Sequence, residues 1–231
     1  VNRRSEVDVH PGHLGRGLGA ALLAWAEARA RQTGSEQIVQ VVPDADAHAV
    51  ALVRSRGYEP MATEWLLEFT MPEEPSVPEP PAGITVRPFR AGDEQEVHRL
   101  IEDAFAAWQQ RRRSYQEWAL HTVERPTFAR AMSMLAFADG QLVGAVLSLD
   151  VPETGEGRIE QVAVRHDHRN RGIARLLLTH TFRAFHRQGR RACTLGTHSD
   201  TGALDLYLRV GMNVRHSSTV HRKRLRDPAA G

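Results

Sequence analysis

A pattern that occurs twice constrains this chain more than any other feature. Val7 and Val9, Arg16-Gly17, Leu22-Leu23 and Gly34 return at one constant offset as Val162 and Val164, Arg171-Gly172, Leu177-Leu178 and Gly189. Two copies mean tandem domains and not a solenoid, in which many short repeats stack. The second copy reads more fully. Residues Arg158 to Val164 alternate as a half-buried strand does. A short loop from Arg169 to Ala174 follows. Ala174, Leu177, Leu178, Thr181, Phe182 and Phe185 then share one face of a helix. Gly172 and Ala174 let a ligand approach the backbone. The unpaired N–H groups and positive dipole end of the helix suit a pyrophosphate.

In chain order, the first copy predicts a strand at about 5–9, a glycine-rich loop at 13–19 and a helix to about Gln32. A strand Gln37–Val42, a helix at Ala47–Arg56 and a strand near Glu64–Phe69 complete it. Nothing in it corresponds to any strands and helices ahead of that point. A sheet without them is expected to expose an edge and an apolar face, and a fragment or a late-assigned start is the expected reason. Residues 71–83 are rich in proline and glutamate, so both ladder and helix bonding are blocked and a semi-rigid linker is expected. The second copy predicts a strand at Ile84–Arg87, a helix from Asp93 to about Trp108 and a helix at Tyr115–Val123. A hairpin joins Met134–Ala138 to Leu142–Leu149 through Asp139-Gly140. After the strand at 158–164 and the helix at 172–187 come a strand Ala192–Thr197, a helix from about Thr201 to Val210, and a closing strand pair between Asn213 and Arg224.

The segment Arg169-Asn170-Arg171-Gly172-Ile173-Ala174, between its Val-x-Val strand and its helix and ahead of Leu206-Tyr207-Leu208-Arg209-Val210-Gly211, resembles the acyl-CoA-binding motif of the GNAT superfamily of N-acyltransferases. The resemblance implies the α/β (α+β) GNAT fold, a mixed, mostly antiparallel sheet flanked by helices. It implies one partial copy at 1–70, which is expected to be non-catalytic, the linker at 71–83, one complete copy at 84–226 and a tail at 227–231. It also implies acetyl-CoA as cosubstrate, transfer of acetyl to a primary amine of a small molecule or peptide by direct attack in a ternary complex, and no metal. In the family a bulge in the fourth strand offers backbone groups to the pantetheine arm, and Val162, Ala163 and Val164 stand there. Arg169 to Ala174 would hold the diphosphate. Tyr207 stands where many members carry a tyrosine that protonates the thiolate, and Glu160 near where members place a carboxylate acting as base through water.

The first copy has Val53 opposite Tyr207 and Leu14 opposite Arg169, so catalysis there is not expected. His166 and His168 precede the loop and are of a residue type suited to proton transfer, but His13 repeats His168, which favours a structural role. Trp108, Tyr115 and Trp118 fall around the two helices that would line an acceptor site, where core packing is the competing reading. A non-catalytic CoA-binding or regulatory module, and an interaction role for residues 1–70, stay open beside the enzyme.

Bulk properties exclude other classes. A formal charge of +2 over 231 residues is too small to argue for nucleic acid; the Arg111-Arg112-Arg113 cluster reads as an ordinary solvated face or a local anion contact. No apolar run approaches the roughly 18 residues of a membrane helix. Cys193 is the single cysteine, so no internal disulfide can form, and the side chain is expected to be buried and not nucleophilic. A cytoplasmic protein is expected, and the sequence leaves homodimerisation open.

Overall fold

The computed structural model describes residues 2–5, 7–107, 109, 111–151 and 153–225. In chain order the elements are β1 (Asn2–Ser5), α1 (Leu18–Gln32), β2 (Gln37–Pro43), α2 (Ala47–Ser55), β3 (Glu59–Thr70), β4 (Ile84–Pro88), α3 (Glu94–Phe105), α4 (Tyr115–His121), β5 (Met134–Ala138), β6 (Gln141–Val151), β7 (Glu156–Val164), α5 (Ile173–Arg187), β8 (Ala192–His198), α6 (Leu204–Val210) and β9 (Asn213–Arg224). They form two compact units, Leu66–Val214 and a smaller one of Val1–Trp65 with Arg215–Gly231.

The larger unit carries a mixed, mostly antiparallel sheet flanked by helices. Its strands run β8-β7-β6-β5-β4, antiparallel except for the β7–β8 pair. Alternation along β6 explains the layering. Ala145 and Leu147 pack with Val97, Leu100 and Ile101 of α3 and Trp118 of α4. Gly144 faces the other way, where a Cβ would lie 2.9 Å from Leu177 and 3.0 Å from Ile173 of α5. At Gly157 a Cβ would sit 2.6 Å from the Phe185 ring, so these two glycines set how closely α5 lies on the sheet. The segment after β3 stays on this unit. Met71 N–H donates to Arg191 O at 2.7 Å, Phe69 stacks on Phe182 at 4.1 Å, and Glu74 pairs with Arg187 at 2.7 Å.

In the smaller unit β1 pairs in parallel with β2, and β2 antiparallel with β9. Three expectations are corrected here and in the larger unit. The first strand lies at 2–5 and not at 5–9: β1 is the terminal strand and ladders with β2 through Ser5↔Gln40 on one side alone, whereas β7 continues to Val164 because β6 pairs along its other side. The closing segment is one strand and not a pair, because β9 ladders along the whole of β2 and Asp44 takes hydrogen bonds from Ser217 and Thr219 partway along it. The helix expected from Thr201 begins at Leu204, since Gly202 at φ 61° interrupts it after a 3-10 turn. Helix α3 ends at Phe105, and Trp108 lies outside the described residues.

The two copies of the loop-helix differ in burial. Leu18, Leu22 and Trp25 of α1 are exposed, while Ile173 and Leu177, the counterparts of Leu18 and Leu22, are fully buried beneath β6. On its opposite face α1 buries Leu23, Ala26 and Ala30 against Ile38, Val42 and Tyr58.

Glu27 anchors β9 to α1. Its nearly buried carboxylate takes Lys223 Nζ at 2.9 Å and Arg56 Nε at 3.1 Å. Burial works to raise its pKa, but the hydrogen bonds from Lys223 and Arg56 prevail and hold it below the usual glutamate value. The folded pKa is therefore lower than the unfolded one, so this stabilisation is complete above the ordinary value and is lost as pH falls through the folded one. Glu27→Ala is expected to cost about 2 kcal/mol, less than the roughly 3–5 of a sealed pair, because Arg56 and Lys223 remain partly in water. Urea unfolding at neutral pH checks the loss, and the gap between wild type and variant should close on acidification below pH 4.5.

Candidate active site

The ladder between β7 and β8 covers only Gly157↔Cys193, Arg158↔Thr194 and Ile159↔Leu195. Beyond Ile159 the two parallel strands separate, although β7 stays paired to β6 as far as Gly144↔Val164. The β8-facing backbone groups of residues 160–164 are therefore left without strand partners. They face a cleft of about 840 Å³ lined by Glu160, Gln161, Val162, Ala163 and Val164 on one side and by Leu195 to His198 on the other.

The bulge lies upstream of the position expected. Leu147 pairs with Gln161 and Ser148 with Ile159, so Glu160 is the extra residue, and Val162 to Val164 continue a regular ladder. A bulge re-aims side chains by breaking the alternation. The parity argument that grouped Glu160 with Val162 and Val164 therefore does not hold across it. Glu160 lines the cleft and lies 3.4 Å from Arg158 Nε.

The loop at 169–174 closes one end of the cleft. Asn170 and Gly172 both have positive φ, 61° and 78°. Gly172 is the N-cap of α5 and no side chain caps that end. The first helical bond runs from Leu176 N–H to Gly172 O, so the amides of Ile173, Ala174 and Arg175 have no acceptor within the helix. Asn170, Gly172, Ile173 and Ala174 line the cleft. Arg171 is exposed and does not line it, whereas Arg175 does. Arg169 reaches the rim, but its guanidinium donates to Val164 O at 3.2 Å and to Ala104 O at 3.1 Å. It ties the strand end, the loop and the end of α3 together.

Tyr207 enters from α6. It is 7% exposed and lines the cleft. Burial pushes its phenol up to about 12, so the hydroxyl is a protonated donor throughout the neutral range. His168 also lines the cleft and is bonded to Asp167, whose carboxyl Arg165 and His168 hold far below the usual range. His166 faces a separate hollow beside Glu96 and Arg99. Cys193 is fully buried in β8 and burial pushes its thiol strongly up. Tyr115 and Trp118 pack against the core of α3 and α4. The arginine cluster is engaged within the fold: Arg111 pairs with Glu117, Arg112 with Asp103 and Arg113 with Glu102.

Sequence reasoning missed Gln161, Arg175, His198, Asp200 and Arg209, all of which line the cleft. Arg175 and Arg209 carry a signal in hindsight, the one in the first turn of α5 beside the loop and the other in the last turn of α6, two residues after Tyr207. His198 and Asp200 carry none, because only the divergence of β7 and β8 gives them a cleft to line.

Arg169→Ala should cost about 1 kcal/mol, the net worth of exposed hydrogen bonds to carbonyls. Hydrogen exchange should accelerate at residues 164–172 and stay unchanged in β5 and β6; an unchanged loop would refute the tying role.

The profile of the Acetyltransferase (GNAT) family matches residues 5–58 and 94–212, well over half of the chain. Over 221 residues the chain is 29% identical to a mycothiol acetyltransferase of Cellulomonas flavigena, covering 90% of this chain and 63% of that protein. It is 41% identical over 100 residues to a mycothiol acetyltransferase of a Nocardioides species, covering 42% of this chain and 33% of that protein. The chain thus spans less than two thirds of the length of these relatives. A GCN5-related N-acetyltransferase from Sphaerobacter thermophilus superposes with a TM-score of 0.85 at 32% identity, over 98% of this chain and 74% of that one. A tandem GNAT protein from the clavulanic acid biosynthesis pathway superposes with a TM-score of 0.74 over 98% of this chain and 76% of that one; its 18% identity speaks for the fold alone.

Proposed function

The chain belongs to the acetyltransferase (GNAT) family, and we propose that its 84–226 portion transfers acetyl from acetyl-CoA to a primary amine of a small molecule or peptide. The observation that carries this reading is a single cleft lined by three complementary features. An uncapped helix end suits a diphosphate, an unpaired strand edge suits the amide groups of a pantetheine arm, and a buried neutral phenol suits a departing thiolate.

The division of labour follows from the chemistry. The amides of Ile173, Ala174 and Arg175 hold the diphosphate, with Asn170 and Gly172 shaping the loop so that the anion meets backbone. The strand edge at Val162, Ala163 and Val164 aligns the thioester in the cleft, and a backbone N–H beside the Glu160 bulge donates to the carbonyl oxygen as charge grows there. Both reactants are held together, which makes direct attack in a ternary complex effectively unimolecular. The amine nitrogen forms the new C–N bond as the C–S bond breaks. Glu160 receives the ammonium proton through water, and the Tyr207 hydroxyl gives its proton to the sulfur. Arg169 and Arg171 support the loop, one by its bonds to carbonyls and the other by charge at the exposed side.

We assign residues 1–70 a non-catalytic role. Gly15 and Gly17 keep the positive φ of the loop, but Val53 and Leu14 stand in place of Tyr207 and Arg169. A more specific reading, that the acceptor is the one used by mycothiol acetyltransferases, draws on the relatives' names alone.

Thermal denaturation with and without acetyl-CoA tests binding, because a ligand specific for the native state must raise the Tm. A rise is expected for wild type and none for Gly172→Val, in which a β-branched residue is forced to positive φ. Tyr207→Phe should lower kcat by about 10²-fold, within the range of general acid catalysis, with the acetyl-CoA shift nearly intact. Turnover equal to wild type would reject the acid role, and an absent thermal shift in wild type would reject the transferase reading.

A further inference from the structure

The indole of Trp118 has a hydrogen-bond donor and no acceptor. Its Nε1–H donates to Gln161 Oε1 at 3.1 Å. That bond decides which way the Gln161 amide faces: the oxygen must meet the indole, so the NH2 group, with two donors and no acceptor, is turned away from it. Gln161 lines the cleft directly after the Glu160 bulge. Its Nε2 takes no partner among the described residues and is not one of their sealed, unpaired polar atoms.

Trp118 is itself held in place. It is fully buried, with its ring centroid 6.0 Å from that of Tyr115 and 5.4 Å from that of His98. His98 Nε2 is bonded to Arg113 O at 3.0 Å. The first turn of α4 is fixed by a reciprocal cap between Ser114 and Glu117, and Arg111 holds the Glu117 carboxylate through two bonds. An amide seated on such a partner cannot flip to suit whatever enters the cleft.

We infer that Gln161 presents a fixed pair of N–H donors that selects amines carrying an acceptor oxygen close to the reacting nitrogen, and that Trp118 is the positioning residue behind it. This rests on the acetyl-transfer reading of the same cleft. An apolar group placed against the donors would leave them desolvated and unpaired, and sites built to hydrogen-bond discriminate strongly against analogues that lack the partner.

The test uses the full chain with acetyl-CoA and a matched pair of amines, 2-methoxyethylamine and n-butylamine, which differ by one ether oxygen that can only accept. The readout is the ratio of their kcat/KM values, compared between variants so that the amines' own basicity cancels. Gln161→Glu keeps an oxygen for Trp118 but has no N–H pair, and Gln161→Leu removes both. Each should shift the ratio toward n-butylamine by about tenfold, the worth of one good hydrogen bond. Trp118→Phe, which frees the amide to turn, should shift it part of the way in the same direction. The indole N–H signal of Trp118 in ¹⁵N-edited NMR should persist in Gln161→Glu and move in Gln161→Leu, showing that the ring stays seated. A ratio unchanged in both Gln161 variants overturns the inference while leaving acetyl transfer standing. Absence of turnover with every amine in a broad panel overturns the transferase reading and this one with it.

Discussion

The parting of β7 from β8 after Ile159↔Leu195 is the constraint on which the site depends. Two parallel strands that remained paired to their ends would leave no cleft and no free backbone. Separation is tolerable because β6 continues to ladder β7 up to Val164, so each unpaired group on the cleft side is balanced by a paired one on the other. The same logic explains why β1 stops at Ser5. It has the parallel neighbour but lies at the end of the strand order, and a strand without a ladder has nothing to hold its extended form.

Around that opening, rigidity comes from packing on both sheet faces. Gly144 and Gly157 let Leu177, Ile173 and Phe185 of α5 sit on the sheet, which fixes the N-terminus of α5 relative to the strand edge. On the opposite face Trp118 closes the core beneath Gln161. Arg169 then bridges the strand end to α3 through two backbone carbonyls. A motif arginine that an anion-binding reading would aim at phosphate is in this fold a tie between backbone segments, and the groups left without a side-chain cap at the start of α5 are main-chain amides.

Much of this was legible in the residues. The alternation of 158–164, the glycine and small residues of the loop and the apolar face of the following helix place strand, turn and helix correctly, because each is set by local periodicity and by the φ that glycine permits. The Asp139-Gly140 turn is equally local. The role of Tyr207 as a buried cleft residue is not local; it came with the resemblance, and the fold supplies the burial that keeps its phenol neutral. The errors share one cause. The place of the bulge, the end of the first strand and the single closing strand all depend on which neighbour a strand pairs with, and pairing is not written in the strand's own periodicity.

The sequence by itself determined the repeated unit, the order of its elements and a glycine loop opening onto a helix, since these follow from hydrophobic spacing and backbone conformational preference. Only the tertiary structure decided that Glu160 is the bulged residue, that Trp118 holds the amide oxygen of Gln161, that the arginine cluster is bound up in ion pairs, and that β9 completes the smaller unit beside β2. Each of these is fixed by a partner far along the chain, and distance along the chain is what periodicity cannot see.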